Sequence, residues 1–414
     1  MQALELEGRD EPQTDRQVGL TRLPSPGLAL KVHASMAAVE AEWRAMQAHS
    51  LVSPHHGYDW CRAWVEAMPR PLAIVEGRLD GRPAFILPLE IVTGRMFRSA
   101  RFIGAEHTNI NTGLFTEAFL AAATPALTAE IVARIRTLDL PADCVNLNAM
   151  PQKWRGAAMP FARLDGVENH NHTFQLDLRA TFDCTLAEIN GKKRRKNFRA
   201  AERRLEKMGG YEYLTAETDA DKTRMLDHFF RLKAARFAET GIPDCFASRQ
   251  VKAFFHKAVL ANGSDDDFAL RMHAIRLKGS DDFSAIAGVS RKGDHVICQF
   301  TTIGTGPERI VSPGEMLFYR MIEHYNGDHA RIFDFGMGDS RLKQSWTTSE
   351  TVQYDITIPL NAIGRLAQLK DEATLKAKAI IKQNPALYSL IQRIRARSGH
   401  AGDGDEAGLD ERND

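Results

Sequence analysis

At 414 residues the chain is long for a single domain, and at roughly 150 residues per domain it has room for two or three. Lys plus Arg total 54 against 53 Asp plus Glu, a net charge of +1, which argues against a dedicated nucleic-acid binder. Apolar residues make up 43% and charged residues 26%, the balance of a soluble globular protein. No apolar run approaches the ~20 residues of a membrane-spanning helix. The first 27 residues mix acids, bases and prolines, unlike a signal peptide. Cys61, Cys144, Cys184, Cys245 and Cys298 are odd in number and form no CxxC, which fits a reducing, cytoplasmic setting.

Residues 1–27 read as a disordered tail. A first pass of elements follows over 28–175. It has helices at Met36–Ala48 and Tyr58–Met68, then the hairpin LAIVEGRLDGRPAFILPLEIV with Asp80-Gly81 at its turn. A strand at Arg101–Gly104, a helix through TPALTAEIVARIRTL and a strand at CVNLNAM complete it. The strand-like HTFQLDL crosses into a second pass over 176–358. That pass has helices at Lys222–Glu239 and Ser248–Asn262 and strands in ALRMHAIRLKG, FSAIAGVSRKG and HVICQFTTIG. A helix in SPGEMLFYRMIEHYNG and a strand at RIFDFG end it. The shared order predicts a duplicated α/β unit. Residues 359–397 read as basic helices split at Asn384-Pro385, suited either to dock on the first domain or to lie on an anionic membrane surface. Residues 398–414 form an acidic, disordered tail.

Three segments could carry chemistry. In the strand–turn–helix unit at 298–325, Ser312 is placed as N-cap, Pro313 as first helical residue and Glu315 as partner in a capping box. A helix start after a strand presents free N–H groups and partial positive charge to an anion such as a pyrophosphate, although no Walker or G-x-G-x-x-G loop is present. In FDFGMGDSRLKQSW, Phe333 and Phe335 alternate with Asp334 and Gly336, Gly338 and Asp339 favour an open turn, and Arg341, Lys343 and Trp346 would project from it to make a polar pocket at the C-terminal end of a strand. Asp339 would position an acceptor and Lys343 steady developing negative charge. In Gly191–Gly210, nine Lys/Arg face two Glu, with Arg195 and Arg199 four apart as a fork for a phosphate or carboxylate. The pairs His55-His56 and His170/His172 lack acidic or Cys partners at ligand spacing, so no metal is expected.

Taken in order, VEAEWRAMQAH, DWCRAWVEA, FILPLEI, KKRRKNFRAAERRLEKMGG, SPGEML and FDFGMGDSRLKQSW resemble the CelD-like branch of the GNAT acyltransferases. These are bacterial proteins related to the Fem peptidyltransferases, with two GNAT-type domains in tandem. The resemblance runs from Val32 to Thr357. It implies an α/β (α+β) fold of two mixed twisted sheets flanked by helices, with the acyl donor in the second domain. The strand ending at Thr302 and Ile303 would lie along a pantetheine, and Ser312, Pro313, Gly314 and Glu315 would receive the pyrophosphate. Asp334, Gly336, Asp339, Lys343 and Trp346 would face the acceptor. The loop TGPERIVSPG departs from the glycine-rich Q/R-x-x-G-x-G/A of GNAT enzymes.

The leading expectation is an acetyl-CoA-dependent N- or O-acyltransferase acting on a small or glycan acceptor of the cell envelope. A Fem-like transferase using aminoacyl-tRNA, with the basic segment holding the tRNA, is the second reading. A non-catalytic scaffold in polysaccharide export is the third.

Overall fold

The computed structural model describes residues 27–161, 164, 166–338 and 341–383. Asp339, the N-terminal tail, the segment after Asn384 and the acidic tail lie outside them. The first pass comprises β1 (Leu28–His33), α1 (Glu40–Gln47), α2 (Tyr58–Ala67), β2 (Ile74–Leu79), β3 (Arg82–Leu87), β4 (Leu89–Thr93) and β5 (Arg98–Phe102). It continues through β6 (Leu114–Phe115), α3 (Glu117–Ala122), α4 (Pro125–Ile135), β7 (Cys144–Pro151) and the small hairpin β8 (Lys153–Trp154) and β9 (Ala157–Ala158). Strand β10 (Val167–Asp177) leads into α5 (Phe182–Ala187), α6 (Gly191–Lys207) and β11 (Tyr211–Thr215). Then come α7 (Asp219–Thr240), α8 (Arg249–Leu260), β12 (Asp267–Leu277), β13 (Phe283–Lys292), β14 (His295–Ile303) and α9 (Pro313–Gly327). The rest is β15 (Ile332–Met337), α10 (Arg341–Trp346), β16 (Ser349–Pro359) and α11 (Ala362–Gln383).

The two passes share a pairing scheme. In the first, β1, β2 and β3 pair antiparallel, β4 carries β3 onward after Pro88, and β5 pairs antiparallel with β4. Helix α4 then crosses over and β7 returns parallel to β5. In the second, β11 to β14 pair antiparallel in order, α9 crosses over, and β15 returns parallel to β14. A parallel return needs such a helical crossover, whereas the antiparallel turns can be tight. Asp80 and Gly81 make the β2–β3 turn with φ of 49° and 78°, the positive values a two-residue hairpin requires.

The units then exchange strands. β10, which leaves the first unit, pairs with β15, and β16, which leaves the second, pairs with β7; β10 and β16 also pair with each other. One ten-stranded sheet results, in the order β11-β12-β13-β14-β15-β10-β16-β7-β5-β4, beside a four-stranded sheet β1-β2-β3-β6. The expected division at 175/176 therefore falls inside β10. Sequence reading misses β1, β11 and β16 and starts β5 three residues late. In β16, Val352, Tyr354, Ile356 and Ile358 alternate with polar residues as a strand should.

Two layers fill the space around the sheet. One apolar core runs from the first unit into the α7/α8 face of the second, where Phe254 sits edge-on to Trp60 and Trp64 at 4.9 and 5.0 Å. The other lies under α9 and holds Phe318, Phe333, Phe335 and Trp346. Helix α11 is fastened back onto the first unit. Asn361 caps the Gly364 N–H and donates to the Asp143 carboxylate, while Leu360 N–H bonds the Asp143 carbonyl. A Cβ on Gly364 would stand 1.9 Å from that carbonyl oxygen. Gly364→Ala is expected to cost about 1–3 kcal/mol of stability through overpacking. An unchanged denaturant midpoint would contradict this seating of α11.

Candidate functional site

The candidate site lies where β14 and β15 part. They are paired only over His295–Ile297 with Ile332–Asp334. Beyond that, β14 carries a bulge: Gly288 faces Phe300 and Val289 faces Cys298, leaving Gln299 as the extra residue. A bulge bends its strand and re-aims a side chain. Here Gln299 turns into the seam between the units. Its carbonyl accepts from Asn109 Nδ2 (3.1 Å) and sits 2.9 Å from His55 Nε2, while its amide donates to Ser290 Oγ (2.9 Å). Asn109 also accepts from the Met337 N–H (3.2 Å), and its own carbonyl receives Gln353 Nε2 (2.7 Å). One asparagine from the first unit thus bridges the two strands where they diverge. All of these side chains are buried, so the bonds avoid the desolvation cost of unpaired polar groups.

The segment expected to face the acceptor is buried rather than open. Asp334 is 0% exposed; it accepts from the Gly336 N–H (2.8 Å) and Gln175 Nε2 (3.0 Å), with His295 Nε2 3.5 Å away. Gly336 follows at φ 74°, a left-handed turn that favours glycine. Lys343, 2% exposed, donates to the Met337 carbonyl at the end of β15. Trp346 is 0% exposed and carries the Arg194 guanidinium over its ring at 4.3 Å.

At the start of α9 the expected capping box does not form. Ser312 precedes the helix, but at φ 55° and ψ 63°, and its side chain makes no cap. A left-handed non-glycine residue is strained by about 1–3 kcal/mol, and such strain gathers at functional sites. Glu315 turns instead to Arg194 Nη1 (2.5 Å), and Arg194 Nη2 reaches the Ser345 carbonyl (2.6 Å). Beside this helix start is a cleft of about 240 Å³, lined among others by Arg194, Asn197, Arg204, Ser312, Glu315 and Trp346. Arg194 is 7% exposed and its Nε has no partner. Thr302 is buried on β14, and the exposed Ile303 approaches Gly314.

The predicted fork lies off the side of α6 that lines the cleft. Arg195 pairs with Asp183 (2.9 Å) and Arg199 points to solvent, whereas Arg194 and Arg204 line the cleft with Asn197 and Ala201. Steps of three, four and three residues keep those four in line. Sequence reading weighs His55 only as a metal ligand and passes over Asn109, Gln299 and the buried Lys233. Lys233 had a signal, because it falls in phase with Phe229 and Phe237 on the apolar face of α7, where it is 1% exposed. Burial pushes the Cys144 and Cys298 thiols up to about 12, so neither is an activated nucleophile. Among the described residues no cluster of His, Cys, Asp and Glu could hold a metal.

Residues 192–344 match the family model described as an acetyltransferase (GNAT) domain, so the match covers the second unit. Among solved structures the chain is similar to FemX, with a TM-score of 0.55 and 11% identity over 82% of this chain and 99% of that one. It is also similar to the C-terminal domain of a putative lysylphosphatidylglycerol synthetase from Agrobacterium fabrum, with a TM-score of 0.50 and 11% identity over 82% and 97%. At such identity the likeness is one of fold. No curated protein matches. The chain thus consists of two units with one pairing scheme, of which the second is matched by the acetyltransferase (GNAT) model.

Burial depresses the His55 pKa to about 4 and the His56 pKa to about 3, so both are neutral at pH 7. Unfolded histidines titrate near 6.5, so between that pH and about 4 the unfolded chain binds more protons. Their contribution is complete above pH 6.5 and is lost as pH falls. Each should add a slope of up to about 1.4 kcal/mol per pH unit. His55→Gln should flatten the stability–pH curve between pH 6.5 and 4 by that amount. An unchanged slope by denaturant titration would contradict a neutral buried His55.

Proposed function

We propose that the protein is an acyltransferase that uses acetyl-CoA or another acyl-CoA. It would pass the acyl group to an amine or hydroxyl of a small or glycan acceptor related to the cell envelope or its polysaccharides. One contrast between the repeated units carries this reading. In the first, α4 is closed by its own cap, Thr124 Oγ1 accepting from the Leu127 N–H (3.2 Å). Asn111 fills the parting of β5 and β7, bonding the Ala149 and Asn148 carbonyls. In the second, the equivalent helix α9 has no side-chain cap and opens on a cleft with two arginines. Pro313 has no N–H and the Glu315 N–H already bonds the Ser312 carbonyl (3.0 Å), so the Gly314 N–H, the helix dipole and the two arginines are what would meet an anion there.

The residues fit the donor's phosphates: the buried Arg194 Nε lacks a partner, and Arg204 stands at the rim. Ser312, Pro313, Gly314 and Glu315 would form the floor, with Thr302 and Ile303 along the pantetheine. The bulge at Gln299 frees strand backbone beside the reacting carbonyl, which suits an oxyanion-stabilising role. The acceptor's nitrogen or oxygen would attack the thioester directly and the thiol would leave, with no covalent enzyme intermediate. Holding both reactants in line supplies much of the rate, of order ~7–11 kcal/mol at best. Lys343 would act through the Met337 carbonyl it holds, Asp334 and Gly336 would shape the end of β15, and Asp339 would assist the acceptor's proton. Arg195 and Arg199 would act on the acceptor side from outside the cleft, and Trp346, buried beneath Arg194, would serve the acceptor only by supporting the wall between the two. The order of the motifs supports the CelD-like branch.

A second reading is favoured by the surface of α6, where Lys192, Lys193, Lys196, Arg199, Arg203, Arg204 and Lys207 are exposed. An aminoacyl-tRNA donor would use such a polycationic face, and its binding would weaken steeply with salt.

Calorimetry with acetyl-CoA separates the readings. Gly314→Glu is expected to abolish binding, and Arg204→Ala to weaken it about tenfold, the worth of one charge-assisted hydrogen bond. Unchanged affinity in both removes the α9 cleft as the donor site. Lys343→Ala should depress kcat and kcat/KM together while sparing donor affinity. If thermal stability drops while activity per folded molecule persists, Lys343 is structural only.

A further inference from the structure

Helix α11 is held by one face and bare on the other. Gly364 and Ala367 face the first domain, with Ala367 1% exposed, whereas Ile363, Leu366 and Leu369 are 49%, 67% and 62% exposed. Spaced three apart, these three form a line along the outer side of the helix. On one flank the Lys370 ammonium lies 5.6 Å from the Phe97 ring, which brings the tip of the β4–β5 hairpin alongside. At that tip Met96 is 72% exposed, next to the exposed Arg95. On the other flank Arg365 and Arg136 share a shallow depression with Leu369. The pattern is an apolar ridge between two banks of positive charge.

We propose that this face docks the protein on an anionic phospholipid bilayer. The ridge of Ile363, Leu366, Leu369 and Met96 would enter the headgroup–acyl boundary. Arg95, Arg136, Arg365 and Lys370 would meet lipid phosphates. An apolar ridge with flanking cations is what an interfacial helix needs, and each cation near such a surface contributes to binding within a Debye length. Charge selects this occupant over the chain's own remaining segments. Residues 361–397 carry eight Lys/Arg against two acids, so folding 384–397 back onto α11 would set like charge against like. Residues 398–414 carry six acids but one leucine, so they could meet the cations yet not cover the ridge. No helix among the described residues is long and apolar enough to cross a membrane, so contact would be at the surface.

The test is cosedimentation of the full chain with vesicles of phosphatidylcholine alone and of phosphatidylcholine with about one-third phosphatidylglycerol. The wild type should bind the anionic vesicles and not the neutral ones. Leu366→Glu/Leu369→Glu should lower that binding about tenfold or more. Arg365→Glu/Lys370→Glu should do the same and remove its salt dependence. All four positions are exposed, so melting temperatures should hold, and a melt on each variant checks this. Failure to bind anionic vesicles, or binding indifferent to both double variants, overturns the proposal. So does a change of oligomeric state in the leucine variant without vesicle binding, which assigns the ridge to a second copy. Greater protease sensitivity of residues 384–414 in that variant, again without vesicle binding, assigns it to the chain's own C-terminus.

Discussion

The exchange of β10 and β16 is the constraint on which the rest depends. Each unit ends in a parallel strand, β7 or β15, whose far edge would otherwise expose unpaired N–H and C=O groups. Each edge is closed by the strand leaving the other unit. Neither domain can therefore complete its sheet alone, and the partings of β5 from β7 and of β14 from β15 are fixed relative to each other. The seam this creates is polar. Asn109 and His55 from the first unit meet Gln299 on β14, and Gln353 on the exchanged β16 holds the Asn109 carbonyl. A buried network of this kind is specific because each partner is needed to satisfy the next.

That specificity explains how two similar units come to differ. In the first, Thr124 caps the Leu127 N–H at the start of α4, and Asn111 bonds the Ala149 and Asn148 carbonyls where β5 and β7 part. In the second, the seam props the strands apart through one asparagine, and the helix start stays uncapped beside Arg194. Arg194 is tied to Glu315, Ser345 and Trp346, so three distant stretches of sequence converge on the one cleft.

Much of this was legible in the sequence. The repeated order of elements, the Asp80-Gly81 turn and the core phase of α9 follow from periodicity and turn chemistry. The elements that frame the candidate cleft, β14, α9 and β15, follow from the same patterns. What escaped has physical causes. The strand exchange depends on pairings between residues about 200 apart, such as Gln353 with Pro151, and no local pattern encodes a partner. Arg194 hides among eight other cations of α6, because only the helix's rotation against α9 decides which one is buried. Asn109 lies in a loop, where polar residues are unremarkable until another chain segment meets them. Ser312 has the composition of a cap but not the backbone of one, and composition alone does not reveal φ.

The two partings offer the most direct discrimination. A crystal structure of the protein with acetyl-CoA should show density entering at the Ser312–Gly314 helix start, contacting Arg194 and Arg204, and running between β14 and β15 toward Gln299. Density between β5 and β7, or a ligand bound elsewhere with the α9 cleft empty, would contradict the account.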